Sequence, residues 1–349
     1  MPMKDPAPRS RAWRRRLVVA TALGAALGAA APAAAEETTA PSTTTPSTVR
    51  CSITDERLAE LSGLVVVGDQ MLALNDGGAQ LAVHGLDAAC QVVDVQTAPV
   101  DPYDPEDLAV GADGAVWVAD TGDNNGQRPT VALHVLRPDG TSLYRLTYPD
   151  GPHDAEALLL APDGTPYVVT KEVLGSSGVY RPVGALTDGG SVPMERVGTV
   201  NVTLTGTPGG PVGRAGQLMI TGGAVASDGS AVALRTYTDA YVWPLTGSDV
   251  AGALTTPPVR VALPESPQGE AISFSADARS LVVASEGLPS AVTEVPLPTV
   301  VAAPTPATDT AVPGFAALTR DGSPLPAALF AALGATIVVW IGGRLIRRP

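Results

Sequence analysis

The sequence predicts an all-β fold: a β-propeller of five blades, or six if one weak segment counts as a blade, followed by a single C-terminal transmembrane helix. The main observation is a short phrase that recurs five times with slow variation. A hairpin signal inside the repeats and the absence of helix patterns between the two ends of the chain agree with it. The copies are Glu60-Leu-Ser-Gly-Leu, Glu106-Asp-Leu-Ala-Val, Glu156-Ala-Leu-Leu-Leu, Thr221-Gly-Gly-Ala-Val and Glu270-Ala-Ile-Ser-Phe.

Each copy begins a strand–turn–strand unit. Four of the five copies have an aspartate seven residues after their first residue, and in three of them a glycine follows it: Asp113, Asp163, Asp228 and, without the glycine, Asp277. Asp-Gly between two apolar runs is a strong hairpin signal. The copies start 46, 50, 65 and 49 residues apart, which is typical of propeller blades with four strands each.

The repeats divide the central part of the chain into five predicted blades. Their ranges are 57–98, 104–148, 153–205, 216–262 and 268–297. The long step before the fourth blade contains a Gly- and Pro-rich insertion around 205–216, which is the segment that could count as a degenerate sixth blade. The fifth blade shows only three strands, so we expect the chain start near residues 49–53 to supply its fourth strand and close the ring.

The amino-terminal end has the features of a secretory signal peptide over residues 1–35. A run of arginines precedes an apolar stretch, and small residues ending at Ala35 form a cleavage site. A retained signal anchor is the alternative. Residues 36–47 are rich in Thr and Pro, and we expect them to be a disordered linker.

The carboxy-terminal end predicts a membrane anchor. Residues 299–324 form a stalk rich in Pro, Ala and Thr, and residues 325–343 are uncharged and long enough to cross a bilayer. The basic tail, 344–349, should stay in the cytoplasm because positive charge holds that end inside. We therefore expect a single-pass protein of the cell membrane with residues 48–298 as its extracellular ectodomain. Sortase-type processing of the tail is the alternative.

Charge limits the expected partners. Without the leader and the tail, the chain has 13 Lys and Arg residues against 34 Asp and Glu residues. Such an acidic surface repels phosphate backbones, so we expect no nucleic-acid partner and favour divalent cations or cationic partners. We expect a monomer that meets an unknown ligand or protein at the cell surface.

The chain has two cysteines, Cys51 and Cys90, and both lie in the part predicted to be exported. We expect a disulfide between them, because exported compartments are oxidising. This bond would lock the closing strand to the first blade. Two buried free thiols are the alternative.

Polar residues flank the first two strands of each predicted blade. Because these strands are antiparallel, the residue before the first and the residue after the second reach the same end of the central channel. The sequence therefore predicts a polar channel mouth that binds a ligand. The ligand-binding residues predicted there are Glu60, Asp76, Asp107, Arg128, Lys171, Arg235, Glu270 and Glu286.

The second and third blades carry the densest set of oxygen donors near this mouth. Closely spaced carboxylates and amides suit a hard cation such as calcium, and without a cation they would repel one another. For the segment 120–125, a turn in which Asp and Asn cap their own backbone is the alternative. The cations Arg128, Lys171 and Arg235 either balance the carboxylates, which we favour, or bind an anionic group. The predicted metal ligands are Glu106, Asp120, Asp123, Asn124, Asp154 and Glu156.

Six segments together carry a resemblance to known proteins. They are Pro105-Glu106-Asp107, Thr121-Gly122-Asp123-Asn124 with Arg128, Asp154-Ala-Glu156-Ala, Thr170-Lys171, Arg235-Thr-Tyr237 and Gln268-Gly-Glu270-Ala-Ile. With them, residues 57–297 resemble secreted bacterial β-propeller proteins of mostly unassigned function. More distantly they are similar to calcium-dependent β-propeller phytases, and this resemblance implies an acidic channel mouth that binds calcium. The chain departs from the phytases in having fewer clear blades and few basic residues for a multiply phosphorylated substrate.

Three functions are compatible with these patterns, and we favour the first. It is a binding or sensing module at the cell surface that holds calcium at an acidic channel mouth. The second is a calcium-assisted phosphoester or ester hydrolase, in which Glu106, Asp120 and Glu156 hold metal and water while Lys171 and Arg235 stabilise charge in the transition state. The third is a structural surface protein whose acidic ring serves folding.

Overall fold

The computed structural model describes residues 46–298, which are almost entirely β. Twenty strands are joined by turns, two short 3-10 helices and one short α-helix, α1, Val250–Ala253. The sequence patterns predicted no helix in this region. A single helical turn forms here because Asp249 caps it, its side chain accepting a hydrogen bond from the backbone N–H of Gly252.

The predicted segments at the two ends lie outside the described residues. They are the signal peptide (1–35), nearly all of the linker (36–47), the stalk (299–324), the transmembrane helix (325–343) and the basic tail (344–349). Among residues 46–298, no helix has the length and apolar character needed to span a membrane.

The strands form five groups of four. The first group contains β2 (Leu61–Val67), β3 (Gln70–Asn75), β4 (Ala82–Leu86) and β5 (Val92–Thr97). The second contains β6 (Pro105–Val110), β7 (Val116–Asp120), β8 (Val131–Arg137) and β9 (Gly140–Thr147). The third contains β10 (Ala155–Leu160), β11 (Pro166–Thr170), β12 (Ser176–Pro182) and β13 (Ser191–Asn201).

The last two groups complete the set. The fourth contains β14 (Ile220–Val225), β15 (Ala231–Thr236), β16 (Asp239–Pro244) and β17 (Val259–Ala262). The fifth contains β18 (Gly269–Phe274), β19 (Ser280–Ser285), β20 (Ser290–Pro296) and, from the start of the chain, β1 (Thr48–Ile53). These groups match the five ranges predicted from the repeat. The described part of the insertion before β14 contains no strand.

Neighbouring strands within each group are antiparallel. A parallel pairing of β13 with β9 also joins the second and third groups into one eight-stranded sheet. The first strand of each group contacts the first strand of the next, in the order β2, β6, β10, β14, β18, and β18 contacts β2. This arrangement is consistent with a β-propeller, and we refer to these five strands as the inner strands.

The predicted closing strand and disulfide are confirmed. β1 pairs with β20, so a strand from the start of the chain completes the fifth group. Cys51 on β1 is bonded to Cys90 in the first group, with their Cα atoms 5.7 Å apart. Around this junction the apolar core includes Ile53, Leu86 and Val282. Full burial of one such side chain stabilises the fold by about 1.5–3 kcal/mol.

The predicted hairpin turns between the first and second strands form as expected. In four groups the aspartate side chain accepts a hydrogen bond from the backbone N–H two residues later, as at Asp163 with Thr165. The glycine after the aspartate has a positive φ, for example 84° at Gly164. In the fifth group Ala278 takes the same backbone conformation, with a φ of 55°. The turn geometry therefore favours the glycine that the sequence places in three of the four Asp-containing copies.

One detail of the predicted repeat is wrong. Each inner strand has a β-bulge near its start, and the bulged position is Glu106 in the second group and Glu156 in the third. In the first group the bulge falls at Ser62, not at Glu60, so the first copy was aligned two residues too early. A leucine follows both positions, Leu61 directly after Glu60 and Leu64 two residues after Ser62, so the two alignments are hard to tell apart.

Candidate functional site

Backbone hydrogen bonds bring the start of each inner strand next to the end of the following strand. The donor is a backbone N–H just after the second strand of a group, and the acceptor is a backbone carbonyl just before the inner strand of the same group. The pairs are Asp76 N to Glu60 O (2.7 Å), Gly122 N to Asp104 O (3.1 Å), Lys171 N to Asp154 O (2.9 Å) and Glu286 N to Gln268 O (2.9 Å). In the fourth group, Tyr237 N donates instead to Gly216 O in the insertion (3.3 Å). These residues define one end of the ring of inner strands, and we call it the mouth.

The bulged residues of the inner strands lie at this end and are buried. A bulge re-aims a side chain that would otherwise alternate with the pleat. The five residues are Ser62, Glu106, Glu156, Thr221 and Glu270, each 1–4% exposed. Three of the five are therefore carboxyl groups removed from solvent.

Carboxylates from three groups meet around Glu106. Oxygen atoms of Asp76, Asp104 and Glu106 lie within 4.8 Å of one another, and so do oxygen atoms of Glu106, Asp154 and Glu156. Glu106 belongs to both sets. We call these five residues the mouth cluster.

Burial and mutual repulsion shift the acidity of these carboxyl groups. Burial raises the pKa of Glu106 well above its usual range, and Glu156, Asp76 and Asp104 raise it further. Burial and the neighbouring Asp76 raise the pKa of Asp104 to about 7. Each carboxyl is costly to ionise while its neighbours carry negative charge, so the cluster is stabilised by protons or by a cation.

Lys171 is the cation that contacts the mouth cluster. Its Nζ is hydrogen bonded to Oε1 of Glu156 and lies 5.5 Å from the centre of the Tyr237 ring. Burial alone would lower the pKa of Lys171, but Glu156 and Tyr237 raise it above its ordinary value. Among the described residues, Asp76, Asp104 and Glu106 form no ion pair with a lysine or arginine.

Glu156 has one oxygen without a partner. Its Oε1 accepts from Lys171, whereas Oε2 is buried and makes no hydrogen bond within the described part of the chain. The residue is 3% exposed. A buried carboxylate oxygen without a donor costs free energy. A bound cation or a hydrogen-bond donor from outside the protein would offset this cost.

Three of the six predicted metal ligands are in this cluster and three are not. Both oxygens of Asp120 already accept hydrogen bonds, from Tyr103 N, Asp104 N, Arg128 and His134. Asp123 accepts from the backbone N–H groups of Gln127 and Arg128, as the turn alternative predicted. Asn124 is exposed. Glu106, Asp154 and Glu156 remain as candidate ligands.

Arg128 balances charge rather than facing the mouth. Its guanidinium forms an ion pair with Asp120, with Nη2 and Oδ1 2.8 Å apart, and donates to the carbonyl of Gly122. Although burial opposes ionisation of Asp120, the hydrogen bonds from His134 and Tyr103 and the charge of Arg128 lower its pKa to about 2. Asp120 is therefore a satisfied structural anion.

The other predicted ligand-binding residues occupy several kinds of position. Glu60 is exposed at the edge of the mouth, and Glu270 and Glu286 lie beside each other near Gln268. Burial raises the pKa of Glu270 to about 9, with further contributions from Glu156 and Glu286. The inner-strand residue Asp107 is fully engaged with backbone donors: Oδ1 accepts from Leu108 N, and Oδ2 accepts from Leu158 N and Gly223 N.

Arg235 is inside the protein, not at the mouth. It is 1% exposed and lies two residues before Tyr237, the residue that aligns with Lys171 at the mouth. The prediction aligned Arg235 itself with Lys171, a shift of two residues. Its Nη1 donates to the carbonyl oxygens of Ala271 and Ala284, so it links the fourth group to the fifth.

Sequence reasoning missed Asp104. The signal was present, because Asp104-Pro-Glu106 and Asp154-Ala-Glu156 are the same acid-x-acid pattern at the start of two consecutive inner strands. The sequence analysis also assigned no binding role to Tyr237, whose ring lies against the Lys171 ammonium.

No protein-family model matches the chain, and no curated protein matches it. Solved structures similar to this chain include a gluconolactonase from Xanthomonas campestris, at 20% identity over 69% of this chain and 73% of that one, with a TM-score of 0.41. A luciferin-regenerating enzyme is 14% identical over 68% and 78% of the two chains, with a TM-score of 0.41. The PQQ-bound aldose sugar dehydrogenase from Streptomyces coelicolor is 10% identical over 72% and 98%, with a TM-score of 0.35. These likenesses assign neither a family nor an activity to the chain.

Proposed function

We propose that this protein is an exported, membrane-anchored binding module, a five-bladed propeller that holds a divalent cation, calcium, in the mouth cluster. The leader and tail of the sequence support the export and the anchor, and the closed order of the inner strands supports the blade count. One observation carries the cation site: four carboxyl groups surround a fifth, Glu106, and among the described residues a single ammonium, that of Lys171, contacts this cluster.

The donor set suits a hard cation. All candidate ligands are carboxylate oxygens, and hard divalent cations such as calcium take several oxygen ligands. Glu156 Oε2 is buried and has no hydrogen-bond donor among residues 46–298, so Glu156 offers an unused acceptor within the cluster. Asp76, Asp104 and Glu106 would hold the ion from one side, and Asp154 and Glu156 from the other. Lys171 reduces the negative charge on Glu156 and would weaken, without preventing, its part in binding.

Calorimetric titration of the purified full-length chain with calcium tests this proposal. We expect one saturable site in the wild type. Glu106→Gln should weaken binding by at least about tenfold, because it removes a charged ligand shared by both carboxylate sets. Glu56→Gln is the matched control, since Glu56 is exposed and outside the mouth; its affinity should equal that of the wild type.

Two results would overturn the cation site. One is a wild-type chain that takes up neither calcium nor magnesium. The other is a Glu106→Gln chain with unchanged affinity, which would place the bound ion elsewhere.

A further inference from the structure

A second polar site, which includes none of the five mouth-cluster residues, lies at Arg235. The Arg235 side chain is buried, and within residues 46–298 it forms no ion pair with an Asp or Glu. Its Nε donates to the carbonyl of Thr236, and its Nη1 donates to two further carbonyls. Its Nη2 donates no hydrogen bond within the described residues. The charge of Glu270 favours the ionised guanidinium, but a buried guanidinium that keeps a donor free and forms no ion pair is still costly, which suggests an external anion.

A second unused polar group lies beside Nη2. Ser266 Oγ is buried and has no hydrogen-bond partner in the described part of the chain. Gly269 is close to both groups: a β-carbon there would collide with Arg235 Nη2 and would lie 2.7 Å from Ser266 Oγ. The guanidinium and the hydroxyl therefore both pack against the backbone at Gly269, together with the Tyr237 carbonyl oxygen, where no larger side chain would fit.

Arg235 and Ser266 both line a cavity of about 270 Å³ between the fourth and fifth groups. Much of the remaining lining is apolar, including Pro264, Pro267, Leu288 and Pro289. Two carboxyl residues also line it: Glu265, which is exposed so that solvent screens its charge, and Glu286, whose pKa is raised by burial. The cavity thus combines two unused donors at one point with a lining that is largely apolar but also includes Glu265, Glu286 and hydroxyl side chains.

We propose that this cavity binds a small carboxylic acid with an apolar body. The carboxylate accepts from Arg235 Nη2 and from the Ser266 hydroxyl, and the apolar body packs against the prolines and Leu288. A carboxylate is one of the anions that pair well with a guanidinium group, and the largely apolar lining favours one that carries an apolar body. The site is independent of the proposed cation site, because none of the five mouth-cluster residues lines this cavity.

Isovalerate is a suitable probe, with isovaleramide as its uncharged match. In calorimetric or NMR titrations of the full-length chain, we expect isovalerate to bind and isovaleramide to bind at least about tenfold more weakly, because the amide lacks the charge that Arg235 recognises. Isovalerate affinity should be the same with and without added calcium.

Two variants complete the test. Ser266→Ala removes a hydroxyl that makes no hydrogen bond in the protein, so it should fold normally and weaken isovalerate binding by about tenfold. Arg235→Lys should abolish binding, although it also removes bonds between the fourth and fifth groups and needs a check of its melting temperature.

Four results would overturn this proposal. They are no isovalerate binding by the wild type at millimolar concentrations, equal binding of the amide, unchanged affinity in Ser266→Ala, and binding that requires calcium. The last result would instead place the carboxylate on a cation in the mouth cluster, so it would support the proposed function while rejecting this second site.

Discussion

At the scale of single residues, the environment of each carboxyl group decides its role. Asp120 and Asp107 are buried and each accepts at least three hydrogen bonds, so they hold backbone and side chains in place. Glu106 accepts from the Ser62 hydroxyl and otherwise faces other carboxyl groups. A carboxyl group surrounded by hydrogen-bond donors has a structural role. One that lacks such donors is available to bind a cation.

Lys171 and Glu156 should behave as a coupled buried pair. Lys171→Gln should lower the free energy of unfolding by about 3–5 kcal/mol in calcium-free buffer, because it leaves the Glu156 carboxylate with no cation. The double variant Lys171→Gln/Glu156→Gln should recover most of this loss. Urea denaturation of the four proteins checks the cycle. Strictly additive effects would show that the two side chains do not interact.

Asp107 should tolerate no amide in its place. Asp107→Asn turns one acceptor oxygen into a donor that faces a backbone N–H, either of Leu108 or of Leu158 and Gly223. We expect a loss of about 2–4 kcal/mol in unfolding free energy. Asp94→Asn, at an exposed position on β5, is the control and should lose little. Equal stability of both variants would show that the Asp107 hydrogen bonds contribute nothing net.

At the scale of elements, the bulges and the closing strand define the site and the ring. A bulge near the start of every inner strand places Glu106, Glu156 and Glu270 at the mouth end. β1 completes the fifth group and carries Cys51, so the start of the domain is fastened to its end by strand pairing and to its first group by a covalent bond.

Removal of the disulfide should therefore loosen the closure. Cys51→Ser should lower the free energy of unfolding by about 3–4 kcal/mol, since the bond closes a loop of 39 residues in the unfolded chain. Thermal unfolding without reductant measures this effect. Reductant should destabilise the wild type to a similar extent and leave Cys51→Ser unchanged. If the variant melts at the wild-type temperature, the bond does not stabilise the ring.

At the scale of the whole molecule, carboxyl groups are concentrated at the mouth. Burial raises the pKa of Asp104 to about 7 and that of Glu270 to about 9, with contributions from neighbouring carboxyl groups. These values lie above the range near 4 in which unfolded carboxyl groups titrate. The folded state therefore binds more protons than the unfolded state between these limits.

This difference fixes the sign of the pH dependence. The stabilisation from these groups is fully present below about pH 4 and is lost as pH rises through about 7 to 9. The metal-free chain should thus lose stability from about pH 5 to pH 9 in urea denaturation. Saturating calcium should restore about 2.7 kcal/mol at a hundredfold excess over its dissociation constant. A metal-free protein that gains stability over this range would contradict the raised pKa values.

The amino-acid sequence alone was enough to predict the strand groups, the hairpin turns, the closing strand and the disulfide. These features follow from local patterns: Asp-Gly turns, alternating apolar runs, a regular period and two cysteines. The sequence also predicted Glu106, Asp154 and Glu156 as members of the cluster. An acidic residue just before an apolar run lies at the end of the strand even if the predicted register is slightly wrong.

The tertiary structure decided which polar residues face the mouth. Strand side chains alternate between two faces, and each inner strand contains a bulge, so an error of one or two residues changes a side chain's surroundings. Asp120 and Arg235 lie within two residues of the mouth, yet point to internal donors and acceptors. Ser62 occupies a position that only the strand register reveals. Whether a buried polar group has a partner depends on residues distant in sequence, as Glu156 and Arg235 show.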